Sequence, residues 1–95
     1  MNKRKTSIVT TDMYHCYICG LPRVELHHIY FGTANRKISD KNRFVVPLCP
    51  EHHRGIFGAH GNRQTDLNLK RICQRKYEEK HSREEFRSLI GKSYL

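Results

Sequence analysis

The sequence predicts a small α+β domain: two short strands and a short helix drawn together by four metal-ligating side chains, with further helices packed behind. Three observations predict it. Cys16-x-x-Cys19 and Cys49-x-x-His52 are two ligand pairs, each with the two-residue gap that lets both side chains reach one ion. The runs at 23–30 (RVELHHIY) and 44–48 (FVVPL) have the β-branched and aromatic content of strands. From Asp66 onward, apolar residues recur with the period of a helix.

Taken in chain order, residues 1–12 are polar, carry the basic cluster Lys3, Arg4 and Lys5, and read as a flexible arm. Residues 13–95 read as a single domain, with a cysteine knuckle and ββα core over 14–62 and a helical extension over 66–91. The knuckle "YHCYICG" is a tight turn closed by Gly20. After the first predicted strand, "FGTANRKISDKNR" reads as a polar, turn-rich loop leading to the second. Pro50 suits the first turn of a helix, where its missing N–H is no loss. That helix must be short, because Gly55, Gly58 and Gly61 follow and each interior Gly costs about 1 kcal/mol relative to Ala. Leu69, Ile72, Cys73 and Tyr77 then fall at i, i+3, i+4 and i+8, one face of an amphipathic helix. "SREE" from Ser82 is a capping box opening a last helix, with Phe86, Leu89 and Ile90 on its apolar face and Gly91 as its stop.

Why metal should be needed follows from size. With 95 residues, 37% hydrophobic content, no Trp and a mean hydropathy of −0.76, apolar burial alone gives a marginal fold. Chains in that position add disulfides or a structural metal. No apolar run has the length of a signal core or a membrane span, which leads us to expect a reducing cytoplasm and no membrane. There a Cys-x-x-Cys is metal-binding or redox-active, and the redox alternative wants a βαβ context that this order of elements lacks. Three thiolates and one imidazole make a closed set with the composition of a structural Zn2+ site. Cys73 is left on the apolar face of a helix, where a thiol acts as a small hydrophobe.

Charge narrows the partner. Eighteen Lys and Arg against nine Asp and Glu give +9 and a pI near 9.7, an excess that points to a polyanion and to nucleic acid first.

The doubled histidines suggest a second ion. Once His52 serves the staple, His27, His28 and His53 remain. An ion held by only a few protein ligands keeps positions open for water and substrate, the mark of a catalytic site. His60 in "GAHGN" is either a further ligand, seven residues beyond His53, or a loop histidine touching DNA or water. His15 and His81 read as exposed, and Tyr30 and Phe31 as core.

Taken together, "CYIC", "LHHI" and "LCPEHH", from Cys16 to about Arg54, resemble the zinc-supported HNH endonucleases. Those carry Cys-x-x-Cys, an Asp-His or His-His pair before Ile, and Leu-Cys-x-x-Cys-His. The resemblance implies a ββα-metal (His-Me finger) core and metal-dependent hydrolysis of DNA phosphodiester bonds. It places His28 at the general base, His27 where many members have a metal-binding Asp, His53 at the second metal ligand, and His52 at the fourth knuckle Cys. Phe44 stands where the family's middle Asn is usual; Asn42 or Asp40, from the adjacent turn, would supply that role. A histidine partly unprotonated near neutral pH suits a base that activates water. His27 in place of Asp makes the site softer, so the catalytic ion is open among Mg2+, Mn2+, Ni2+ and Zn2+. Arg36, Lys37, Lys41, Arg43 and Arg54 are expected to hold flanking phosphates. Within the superfamily the likeness is to phage-borne recombination-enhancement nucleases, which act on DNA held by RecA; that implies a part in DNA recombination, with DNA and a RecA filament as partners. The alternative is a catalytically silent zinc-finger module that binds nucleic acid, which leaves His27, His28 and His53 unexplained.

Overall fold

The structure, a computed structural model, describes residues 6–95. In order along the chain come β1 (Glu25–His28), α1 (Thr33–Asn42), β2 (Val45–Leu48), α2 (Pro50–Arg54), α3 (Arg63–Tyr77) and α4 (Arg83–Ile90). The fold is α+β. β1 and β2 pair antiparallel, Glu25 opposite Leu48 and His28 opposite Val45. Both predicted strands are shorter than their apolar runs, because only these four-residue stretches find a partner. Pro47 is tolerated in a two-stranded sheet, where each strand keeps a free edge. Its carbonyl accepts from the Tyr17 N–H at 2.8 Å, tying the cysteine knuckle to β2.

The segment expected to be a loop between the strands is α1. Its sequence, TANRKISDKN, has almost no apolar stripe, and turn-forming residues dominate it. What holds it is tertiary: Ser39 is fully buried, its hydroxyl donating to the Tyr30 carbonyl at 2.7 Å and accepting from the Tyr30 N–H at 3.2 Å. The helix ends where Arg43 turns into the left-handed region, φ 63°.

Behind the hairpin, Tyr30, Phe44 and Phe86 form the centre of the core with Ile29, Leu48, Leu69, Cys73 and Ile90. Tyr30 meets Phe44 and Phe86 edge-on at 5.5 and 5.3 Å between centroids, the orientation ring quadrupoles favour, and its hydroxyl donates to the Lys70 carbonyl. Burial pushes the Cys73 thiol up to about 12, so it is an inert core residue as expected. α3 begins three residues earlier than its apolar period, at an Asn62 side chain that accepts from the Thr65 N–H. α4 has the predicted capping box at Ser82 and Gly91 as its left-handed stop.

Of the predicted flexible arm, residues 6–12 are described. Ile8 and Val9 pack against the core and the Ile8 N–H donates to the Arg43 carbonyl at 3.1 Å. Lys3, Arg4 and Lys5 lie outside the described residues. Among the described residues, no helix is long and apolar enough to cross a membrane.

Candidate metal centres

Cys16, Cys19, Cys49 and His52 bring their ligand atoms within 4.8 Å of one another, and this cluster can hold a metal ion. The Cys49 sulfur lies 3.3 Å from His52 Nδ1 and 3.7 Å from the Cys19 sulfur; Cys16 lies 3.8 Å from His52 Nδ1. Local sequence explains the shape. Gly20, at φ 81°, lets the chain turn back so that its N–H donates to the Cys16 carbonyl. Cys49 caps α2, Pro50 starts it, and His52 falls one turn along on the same side. Burial raises the Cys16 thiol, but the N–H groups of Cys49, Cys19 and Ile18 and the Cys19 thiol outweigh it, leaving the group at about 6. A ready thiolate is the form a metal binds.

His27, His53 and His60 make a second cluster, again with ligand atoms within 4.8 Å. Their ring centroids form a near-equilateral triangle of 5.1, 5.0 and 4.9 Å. His27 is fully buried, and neither ring nitrogen has a hydrogen-bond partner among the described residues. An orphaned buried donor or acceptor costs about 1–3 kcal/mol, so this imidazole asks for an occupant, and an ion would satisfy one of its nitrogens. Burial, and then the neighbouring His53 and His60, pull its pKa down to about 3, keeping the ring in the neutral form a metal requires. Burial and His53 lower His60 as well. At His53, Nδ1 lies 2.7 Å from Glu25 Oε1, which directs the other ring nitrogen toward the triangle. Arg54 grips the same carboxylate at 2.6 and 3.0 Å. The Arg54 and His53 contacts hold Glu25 at about 2.

The structure brings His60 in, but not by continuing α2. The loop 55–61 folds back on that helix, the Ala59 N–H donating to the His52 carbonyl and the His60 N–H to the His53 carbonyl. Glycine permits this approach: a Cβ at Gly58 would sit 2.6 Å from the His52 carbonyl carbon, and one at Gly61 would collide with the Gly55 carbonyl.

The two pairs of histidines diverge for elementary reasons. In β1 successive side chains alternate faces, so His27 enters the triangle while His28 points the other way. Along α2 each residue turns about 100°, so His52 meets the cysteines and His53 the imidazoles. His28 Nε2 lies 3.2 Å from Asp40 Oδ1, and both line a hollow of about 660 Å³ with Arg36 and Lys37. A smaller hollow of about 240 Å³ joins His28 and Arg36 to His53 and His60.

Of the two residues proposed for the middle position, Asp40 meets His28. Asn42 does not: its amide donates to the Ile38 carbonyl at 2.9 Å and it lines a different hollow, with Lys41 and Arg43. Those two basic residues do not line the hollow of His28, and Arg54 is engaged by Glu25. Phe31, expected in the core, is 40% exposed and stands 4.9 Å from the His60 ring. Sequence reasoning missed Glu25 altogether, although strand alternation puts it on the His27 face. No family model, curated protein or solved structure matches the chain.

Proposed function

We propose that this protein is a metal-dependent DNA endonuclease of the HNH type, built on a ββα-metal core with Zn2+ in the cluster of three cysteines and His52. The observation that carries the reading is one hollow lined by His28 and Arg36 together with His53 and His60, two members of the histidine triangle whose third, His27, is buried behind it. Three imidazole nitrogen donors suit Zn2+, Ni2+ or Mn2+ better than Mg2+. A divalent ion bound there would polarise the scissile phosphate and stabilise the leaving oxygen.

The chain's own residues supply the rest. With its Nε2–H donated to Asp40, His28 keeps a lone pair on Nδ1 and takes the proton of the attacking water from that side. Asp40 is the positioning residue that fixes this tautomer and steadies the imidazolium once the proton has arrived. Arg36 and Lys37, on the walls of the same hollow, hold the phosphate oxygens beside the reacting bond. The net charge of +9 draws in the polyanion. A place in DNA recombination, on DNA held by a RecA filament, is part of the proposal through the resemblance of "LHHI" and "LCPEHH".

The test is relaxation of supercoiled plasmid by metal-depleted protein to which Mg2+, Mn2+, Ni2+ or Zn2+ is restored, with and without a RecA filament. Metal-dependent cleavage should fall about 10²- to 10⁴-fold in His28→Ala, with the fold intact. Undiminished cleavage in that variant removes His28 from the reaction. DNA binding without cleavage under every condition would make the protein a silent zinc-finger module.

A further inference from the structure

The ends of α1 and α3 enclose a second basic hollow that the proposed chemistry does not use. It measures about 420 Å³; Lys41 and Arg43 stand on one wall and Lys76, Lys80 and His81 on the other. Glu79 is the acidic member, 3.6 Å from Lys76. Lys41 and Lys80 have no ion-pair partner among the described residues, and Arg43 spends one nitrogen on the Thr6 hydroxyl at 3.3 Å.

Basic residues at helix C-termini are ordinary complements to the helix dipole, and that alone would account for the lysines. Arg43 is different. It sits at φ 63°, ψ 35°, a conformation natural to glycine and disfavoured for any residue with a Cβ. It is the sole non-glycine residue at positive φ among the described residues, and it lines the hollow. Position along α1 adds the second argument. Arg36 and Lys37 line the hollow of His28, while Lys41, one turn further, and Arg43 line this one. Four residues of helix advance about 6 Å, between the axial rises of one and two nucleotides, about 3.4 Å each, on a B-form strand.

We propose that this hollow binds the sugar–phosphate backbone of DNA a few nucleotides from the bond presented to His28, as an anchor indifferent to sequence. The proposal rests on the nuclease reading for what lies at His28, but its test reads binding. A cleavage-silent His28→Ala protein is titrated with a fluorescein-labelled DNA duplex, by anisotropy, over a range of KCl concentrations. Into that background go Arg43→Gly and, separately, the double change Lys41→Gln with Lys80→Gln.

Arg43→Gly should weaken binding about tenfold at low salt and make the slope of log affinity against log salt shallower by about one. The double change should lower the slope by about two. Arg43→Gly relieves the backbone, so its melting temperature should hold or rise, which separates lost binding from lost structure. Unchanged affinity and slope in both variants would overturn the proposal. If no DNA is cleaved by the unaltered protein yet these variants bind weakly, the nuclease reading falls and the anchor stands. If His28→Ala abolishes cleavage while the hollow variants bind normally, the anchor falls and the nuclease stands.

Discussion

The cysteine-rich cluster and the all-histidine cluster share their supports: Cys49, His52 and His53 follow one another across the start of α2, yet the two groups differ in donors and in exposure. In the first, four donors close around a point and Cys16 and Cys49 are buried. In the second, three donors of one kind meet; His27 is sealed in while His60 remains exposed beside a hollow shared with His28. A closed set of soft donors can only hold its ion, and what it returns is folding free energy. An incomplete set of imidazoles leaves positions open on any ion it holds. Adjacent residues can thus belong to two different clusters, because the helix turns about 100° between them.

The largest expected effect breaks the staple. Cys16→Ser should unfold the domain or strip its ion, because a structural zinc can contribute about 10–16 kcal/mol, as much as the whole stability of an ordinary domain. Circular dichroism melts with zinc quantification check it; a folded, zinc-free variant would show that the hydrophobic core suffices. His60→Ala should do the reverse. An exposed loop histidine can be removed for less than about 1 kcal/mol, so the variant should melt nearly as the parent does, retain one ion per chain and lose the second. Two ions retained in His60→Ala, by elemental analysis, would mean that the triangle is not the second site.

A finer cut tests whether the histidine triangle is tuned from behind. Glu25 fixes His53 through Nδ1, and loss of such a carboxylate typically costs 10–100-fold in metal affinity. Glu25→Gln should therefore weaken Mn2+ or Ni2+ binding at the triangle by about that factor in calorimetry, with the ion of the cysteine-rich cluster untouched. An equal loss at both clusters would mean that Glu25 holds the hairpin together rather than one imidazole.

The contrast also explains what the sequence could reveal. Short, rigid spacings are legible: Cys-x-x-Cys and Cys-x-x-His must converge on something, and the doubled histidines exceed what one ion needs. α3 and α4 announce themselves through apolar period and capping chemistry, because Leu69, Cys73, Phe86 and Ile90 are both the signal and the core. α1 had no such signal. Its stability comes from Ser39 stitched to Tyr30, a contact made across the fold by a residue that locally favours turns. His60 was undecided for a related reason: its place depends on glycines that allow a loop to collapse onto α2, and glycine spacing does not state what the chain will approach. Asp40 and Asn42 were equal candidates while they lay in a presumed loop; helical rotation separates them.

The smallest effect calibrates the others. Ser82 and Glu85 cap α4 reciprocally, far along the chain from both clusters, and α4 packs on the core through Phe86, Leu89 and Ile90. Ser82→Ala should cost about 1 kcal/mol in denaturant unfolding while both ions stay bound with unchanged affinity. The cap also carries a pH signature. The Ser82 N–H, and then His81, hold the Glu85 carboxyl below its ordinary value of 4.5. A carboxylate lowered in the folded state stabilises above its unfolded pKa, and that contribution disappears as pH falls through the lowered value. Glu85→Gln should therefore be the less stable protein at neutral pH, with the gap closing below pH 4.5. If either cap variant also lost metal from the histidine triangle, that cluster would be sensitive to any loosening of the core, and the loss in His60→Ala or Glu25→Gln would no longer mark those residues as its own.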